Sequence, residues 1–212
     1  MEYRKGIKLW QILESPVWYT TCGCGKGKKS ELIENCIASW RKYLPDYEIK
    51  EWNEDNFNID YNTFTRQSYD AKKYAFTSDV IRLYALYTEG GIYLDTDVEV
   101  MKPLDEFLSE PAFTGFEQPY YPVCATMGAE KGNPLINEFL DYYNDKEFKV
   151  EEDWTKYTTN TVIMSDILEK HGIDRSKNEI QRIKDITIYP KEYFLDKDGY
   201  TIHWMQGSWR LT

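Results

Sequence analysis

Soft and borderline metal ligands are scarce in this chain: its 212 residues include two histidines and four cysteines. Cys22, Cys24, Cys36 and Cys124 form neither a CxxC pair nor a secretory framework, so a zinc ribbon and a disulfide scaffold are not expected. Cys22-Gly23-Cys24 lacks the partner ligands that a metal or redox site needs. Positive charge is also short. Twenty-six Lys and Arg against 36 Asp and Glu leave a net charge of −10, which argues against a nucleic-acid groove and against a polybasic membrane anchor. No apolar run approaches the roughly 20 residues of a transmembrane helix. Ile7 to Tyr19 is broken by Lys8, Gln11, Glu14 and Pro16, so it does not read as a signal peptide. Reduced thiols and the missing leader predict a cytoplasmic protein. Internal repeats and linker-like stretches are missing too, and the length suits one domain over residues 1–212.

What the chain does have is aromatic side chains, at 16% of residues, and one dense motif. Aromatic surfaces of this kind serve cores and also the walls of clefts that hold bases or sugar rings. The motif is Gly90-Gly91-Ile92-Tyr93-Leu94-Asp95-Thr96-Asp97-Val98, a glycine turn feeding an apolar strand that ends in two carboxylates. In an extended segment, side chains two apart share a face, so Asp95 and Asp97 are expected side by side. They stand where a strand meets a loop, which is where open α/β sheets bind ligands. Two hard oxygen ligands suit Mg²⁺ or Mn²⁺, and such an ion commonly also contacts substrate phosphates. Two solvated acids at a strand end would give the same local pattern.

Upstream, Val80, Leu83, Tyr84 and Tyr87 recur at helical spacing, with Ser78 or Asp79 near the expected N-terminus and Gly90 as the stop. Asp79 and Arg82 lie three apart on one helical face. They form either an exposed ion pair or a carboxylate and guanidinium offered together to a polar ligand.

The string from Ser78-Asp79 and Arg82, through Leu86-Tyr87, Asp95 and Asp97, to Pro103-Leu104-Asp105 resembles the DXD region of glycosyltransferase family 32. That family includes bacterial capsular and lipopolysaccharide transferases and is similar at this motif to the large glucosylating toxins. The resemblance runs over roughly residues 30 to 209, including Cys36 to Tyr47, Glu51-Trp52-Asn53-Glu54, Phe113 to Glu117, and a closing His203…Ser208-Trp209 element. It implies a GT-A fold and transfer of a sugar from a nucleotide-sugar donor to a glycan or lipid-linked saccharide acceptor, with retention. On this resemblance Asp97 ligates Mn²⁺ or Mg²⁺, with Asp95 on the ribose hydroxyls and metal shell and His203 completing that shell. Asp79 and Arg82 hold the donor sugar, Asn160 is a further candidate for that pocket, and Ser208 and Trp209 close over the diphosphate. Peripheral association with the inner face of a membrane would suit a lipid-linked acceptor.

Residues 1–29 depart from the family pattern, which usually opens on an apolar strand that helps build the base pocket. Val17-Trp18-Tyr19-Thr20 is the candidate replacement, with Trp18 as a base-stacking residue. A damaged first strand would instead leave a nucleotide-sugar-binding domain with impaired turnover. A third reading is a phosphatase that uses the first Asp of its DxD as nucleophile; such proteins usually carry that motif near the N-terminus.

The remaining patterning predicts an α/β domain with a mostly parallel central sheet covered by helices. Helices are expected near residues 32–43, 62–73, 79–89, 134–143 and 160–171, and strands near 48–52, 92–94, 112–116, 123–127 and 185–189.

Overall fold

The computed structural model describes residues 8–12, 30–117, 121–151, 153 and 156–205. Its seven-stranded sheet is built from β1 (Lys8–Ile12), β2 (Glu48–Trp52), β3 (Gly91–Leu94), β5 (Ala112–Glu117), β6 (Tyr121–Ala129), β7 (Gln181–Ile183) and β8 (Ile186–Tyr189). The order is β2-β1-β3-β6-β5-β8-β7. Pairings β1–β2, β1–β3 and β5–β8 are parallel, while β6 and β7 run against their neighbours. Five of the seven strands therefore point one way. A separate ribbon pairs β4 (Val98–Val100) with β9 (Thr201–His203) in antiparallel fashion.

Among the described residues five α-helices accompany the sheet: α1 (Glu31–Tyr43), α2 (Thr63–Asp70), α3 (Tyr74–Glu89), α4 (Pro134–Asp141) and α5 (Asn160–Lys170). α1 starts because the Ser30 hydroxyl accepts the Ile33 amide at 3.3 Å, with Glu31 and Glu34 against the positive end of the helix dipole and Arg41 and Lys42 at the other. α3 begins at Tyr74, a turn before the start expected at Ser78 or Asp79. No side-chain cap marks that end. Aromatic packing holds it instead: Tyr74 sits on Tyr69 and Phe76 on Phe148, with ring centroids 5.1 Å apart in both pairs. At the other end Gly90 takes a φ of 71°, and a β-carbon there would lie 2.6 Å from the Lys131 nitrogen, so only glycine lets α3 turn this close to β6.

The pleat of β3 divides the core. Tyr93 faces a cluster with α3, α4 and α5 residues such as Val80, Ile136 and Ile163. Ile92 and Leu94 face the other side, against Ile37 and Trp40 of α1 and Val98 and Val100 of β4. Both sheet faces are thus covered, as the patterning predicts. The β2-β1-β3 order, with β1 as the shared neighbour, puts the carboxyl end of β3 at a topological switch point.

The strand preceding α1 is Lys8–Ile12, which pairs with β2 over five positions and with β3 over three. Val17–Thr20, the expected opening strand, lies outside the described residues. The pairing of β4 with β9, and the strand β7, were not expected from the sequence. Each of these strands is only three residues long, too short for periodicity to show.

Candidate active site

β3 ends at Leu94, and the two carboxylates follow in a tight turn. The Asp95 carbonyl accepts the Val98 amide at 3.0 Å, and the Asp95 amide donates to the Ala125 carbonyl at 2.8 Å. The expectation that strand pleating aligns Asp95 and Asp97 is therefore corrected: a hydrogen-bonded turn brings them together. The turn closes there because β4 must leave the sheet plane to pair with β9. Trp40 of α1 secures this departure, its indole Nε1 donating to the Val98 carbonyl at 2.7 Å.

β9 brings in the third group. His203 pairs opposite Val98, and its Nε2 lies 3.4 Å from Asp97 Oδ1. Asp95, Asp97 and His203 each offer a ligand atom, all within 4.8 Å of one another. Two carboxylates and an imidazole make a donor set that fits a divalent ion of the Mn²⁺ kind. Burial disfavours the charged form of His203, but the hydrogen bond and charge of Asp97, with Asp95 and Glu117 behind it, outweigh this and raise its pKa above the ordinary value. His203 Nδ1 is buried with no hydrogen-bond partner among the described residues.

Asp79 and Arg82 approach from α3. The guanidinium lies 3.1 Å from Asp79 Oδ1 and 3.3 Å from Asp95 Oδ1, with its centre 4.7 Å above the Tyr93 ring. The Arg82 side chain is only 7% exposed, so the exposed-ion-pair reading fails. This is a buried cation between two carboxylates, an arrangement that is stable only when fully partnered. Tyr93, itself buried, donates its phenol to Asp95 Oδ1. Burial, reinforced by the nearby Asp95 carboxylate, holds that phenol well above its usual pKa despite Arg82, so it remains a donor. Sequence patterning treated Tyr93 as one more apolar strand residue. Its place two residues before Asp95, on the same side of the pleat, is the signal that could have marked it.

Asn160 opens α5 and is buried on the α3 side of the sheet, its Nδ2 lacking a hydrogen-bond partner among the described residues. Ser208, Trp209 and Trp18 lie outside the described residues. No helix among the described residues is long and apolar enough to cross a membrane.

Comparison with known proteins agrees with this geometry. Residues 30–114 match the family described as the glycosyltransferase sugar-binding region containing a DXD motif. An inositol phosphoceramide mannosyltransferase of Schizosaccharomyces pombe is 33% identical over 117 residues, covering 51% of this chain and 33% of the relative. This chain thus spans a third of that relative's length. An uncharacterised glycosyltransferase of Acanthamoeba polyphaga mimivirus is 24% identical over 200 residues, covering 83% of this chain and 74% of the relative. Among solved structures, the PaToxG glycosyltransferase superposes with a TM-score of 0.54 at 17% identity, over 78% of this chain and 69% of its own, a likeness of fold. The α/β architecture is accordingly GT-A-like. Residues 30–114 are thus similar to the sugar-binding region, containing a DXD motif, of glycosyltransferases.

Proposed function

We propose that this chain is a metal-dependent, retaining glycosyltransferase that moves a sugar from a nucleoside-diphosphate sugar to a hydroxyl of a glycan or lipid-linked saccharide. The observation that carries this reading is the convergence of Asp95, Asp97 and His203 on the turn after β3, with a buried Arg82–Asp79 pair alongside. In an acidic protein, a site for an anionic diphosphate needs a cation of its own.

The reaction breaks the bond from the anomeric carbon to the diphosphate oxygen and forms one from the same carbon to the acceptor oxygen. A divalent ion, when bound, supplies Lewis-acid stabilisation of the charge left on the departing diphosphate. Asp97 would be its direct ligand, with His203 completing the shell, and an imidazole there would favour Mn²⁺ over Mg²⁺. Asp95 has Oδ1 occupied by Tyr93 and Arg82, so its other oxygen is the one to meet the ribose hydroxyls and metal shell. Asp79 and Arg82 orient hydroxyls of the donor sugar, with Asn160 adding an amide. Ser208 and Trp209 supply O–H and N–H donors to the diphosphate. The acceptor proton passes to the leaving phosphate oxygen on the face of attack, which retains the anomeric configuration.

The strand pairing of β1 on both sides favours turnover over the reading of a binding domain with a damaged first strand. The phosphatase reading needs Asp95 as a free nucleophile, and the grip of Tyr93 and Arg82 on Oδ1 opposes it. The test is diphosphate release from a panel of nucleotide-sugars with Mn²⁺ present or chelated, and the anomer of any product by NMR. Metal-independent release, or release from none of the donors, would overturn the proposal.

A further inference from the structure

The residue that follows His203 has no role in the assignments above. Trp204 is 48% exposed and Met205 beside it 49%, whereas the other large exposed apolar side chains among the described residues, Val150 and Ile180, stand apart from the site in sequence. Trp204 is also held in place. Its amide donates to the Asp97 carbonyl at 3.0 Å, and its indole Nε1 donates to Glu99 Oε2 at 3.1 Å. A large ring that is fixed at backbone and ring nitrogen yet open to water loses little conformational freedom when it is covered. Covering it also removes apolar surface from water.

Its position separates it from the donor-sugar contacts. Arg82 and Asp79 reach the DXD turn from α3 through Asp95, while Trp204 reaches it from β9 through Asp97. A donor sugar held on the α3 side leaves the indole for a second ring. We infer that Trp204 is a stacking platform for a pyranose ring of the acceptor saccharide. One face of such a ring presents C–H groups of slight positive charge, which suit the negative face of an indole. This inference rests on the glycosyltransferase reading above.

Saturation-transfer NMR tests it, using the full chain with Mn²⁺ and UDP or GDP and three probes: methyl α-D-mannopyranoside, methyl α-D-glucopyranoside and methyl β-D-galactopyranoside. The wild type should transfer magnetisation to the C–H groups of one ring face of at least one probe. Trp204→Phe should keep this binding, and Trp204→Ala should weaken it at least about fivefold while Mn²⁺–nucleotide affinity moves by less than about twofold. Circular dichroism of both variants separates loss of the platform from loss of fold. Binding of no glycoside by the wild type, or equal binding by Trp204→Ala, would overturn the inference. An equal fall in nucleotide affinity would do so too, by giving the ring to the donor base. If no donor releases diphosphate, the underlying reading fails; if diphosphate is released and the glycosides bind Trp204→Ala unchanged, only the platform fails.

Discussion

The two carboxylates of the DXD turn keep different company. Asp95 is braced before any ligand arrives: Tyr93 donates to it, Arg82 pairs with it at 3.3 Å, and Arg82 is in turn fixed by Asp79 at 3.1 Å. Asp97 pairs instead with His203, its Oδ1 3.4 Å from the imidazole Nε2, across a ribbon of two three-residue strands. A braced carboxylate has fewer oxygen lone pairs left to offer. The difference makes the two halves of the site separately breakable, which tests the proposed roles of Asp97 as direct metal ligand and Asp95 as a positioning carboxylate.

The largest expected effect comes from the ribbon half. Asp97→Ala should lower diphosphate release at least about 1,000-fold at any practical Mn²⁺ concentration, because the proposed metal site would lose one of its carboxylates. Near-normal turnover of this variant in chelator would remove the metal assignment. Next comes the braced half. Arg82→Lys keeps a cation between Asp79 and Asp95 but cannot span both as a planar fork, so turnover should fall about 100-fold with the urea midpoint little changed. Unchanged turnover would reduce the pair to a structural brace. Loss of fold instead would show that the fork itself is needed for stability.

The braced half was the more legible of the two in sequence. Asp79 and Arg82 stand at helical spacing and Asp95 ends a glycine-led apolar strand, so local periodicity places all three. Their burial was not legible, because it depends on Tyr93 and on the sheet beneath. The ribbon half was read differently. His203 lies 106 positions after Asp97 and joins it through a three-residue strand pairing, a contact that no local pattern encodes. The resemblance to a known family suggested it; spacing could not. The same holds for the start of α3, where packing among Tyr74, Tyr69, Phe76 and Phe148 outweighs the missing cap. Helices with strong periodicity or clear end signals, such as α1 and α5, were placed to within a few residues.

A third prediction concerns what holds the ribbon. Trp40→Phe preserves most of the buried ring but leaves the Val98 carbonyl without the indole donor now 2.7 Å away. An unpaired buried acceptor costs about 1–3 kcal/mol, which should appear as a lower urea midpoint with an unchanged slope. Because Val98 joins the DXD turn to β9, Mn²⁺ affinity should weaken as well, whereas the Arg82 side should not respond. Loss of stability with full Mn²⁺ affinity would show that the ribbon is positioned from elsewhere.

The smallest effect belongs to a region away from the turn, and it provides the control for the comparison. Glu110 accepts the Thr187 hydroxyl at 2.6 Å, lies 3.2 Å from Arg182, and accepts the Tyr189 phenol at 3.3 Å. The Thr187 bond foremost, with Arg182 and Tyr189 adding to it, outweighs burial and holds this carboxyl below its ordinary value. A carboxyl with a depressed folded-state pKa stabilises the fold above its unfolded value of 4.5, and that contribution is lost as pH falls through the folded one. Glu110→Gln should therefore lower stability at neutral pH by about 1 kcal/mol, with the gap to wild type closing below about pH 4.5. Urea titrations at pH 7 and at pH 3.5 measure both points. Mn²⁺ affinity should be the same in variant and wild type, since Glu110 precedes β5, at the opposite end of that strand from Glu117, and β6 stands between β5 and β3. A gap that persisted at low pH would mean that Glu110 acts through packing, and a change in Mn²⁺ affinity would mean that the halves of this sheet are coupled.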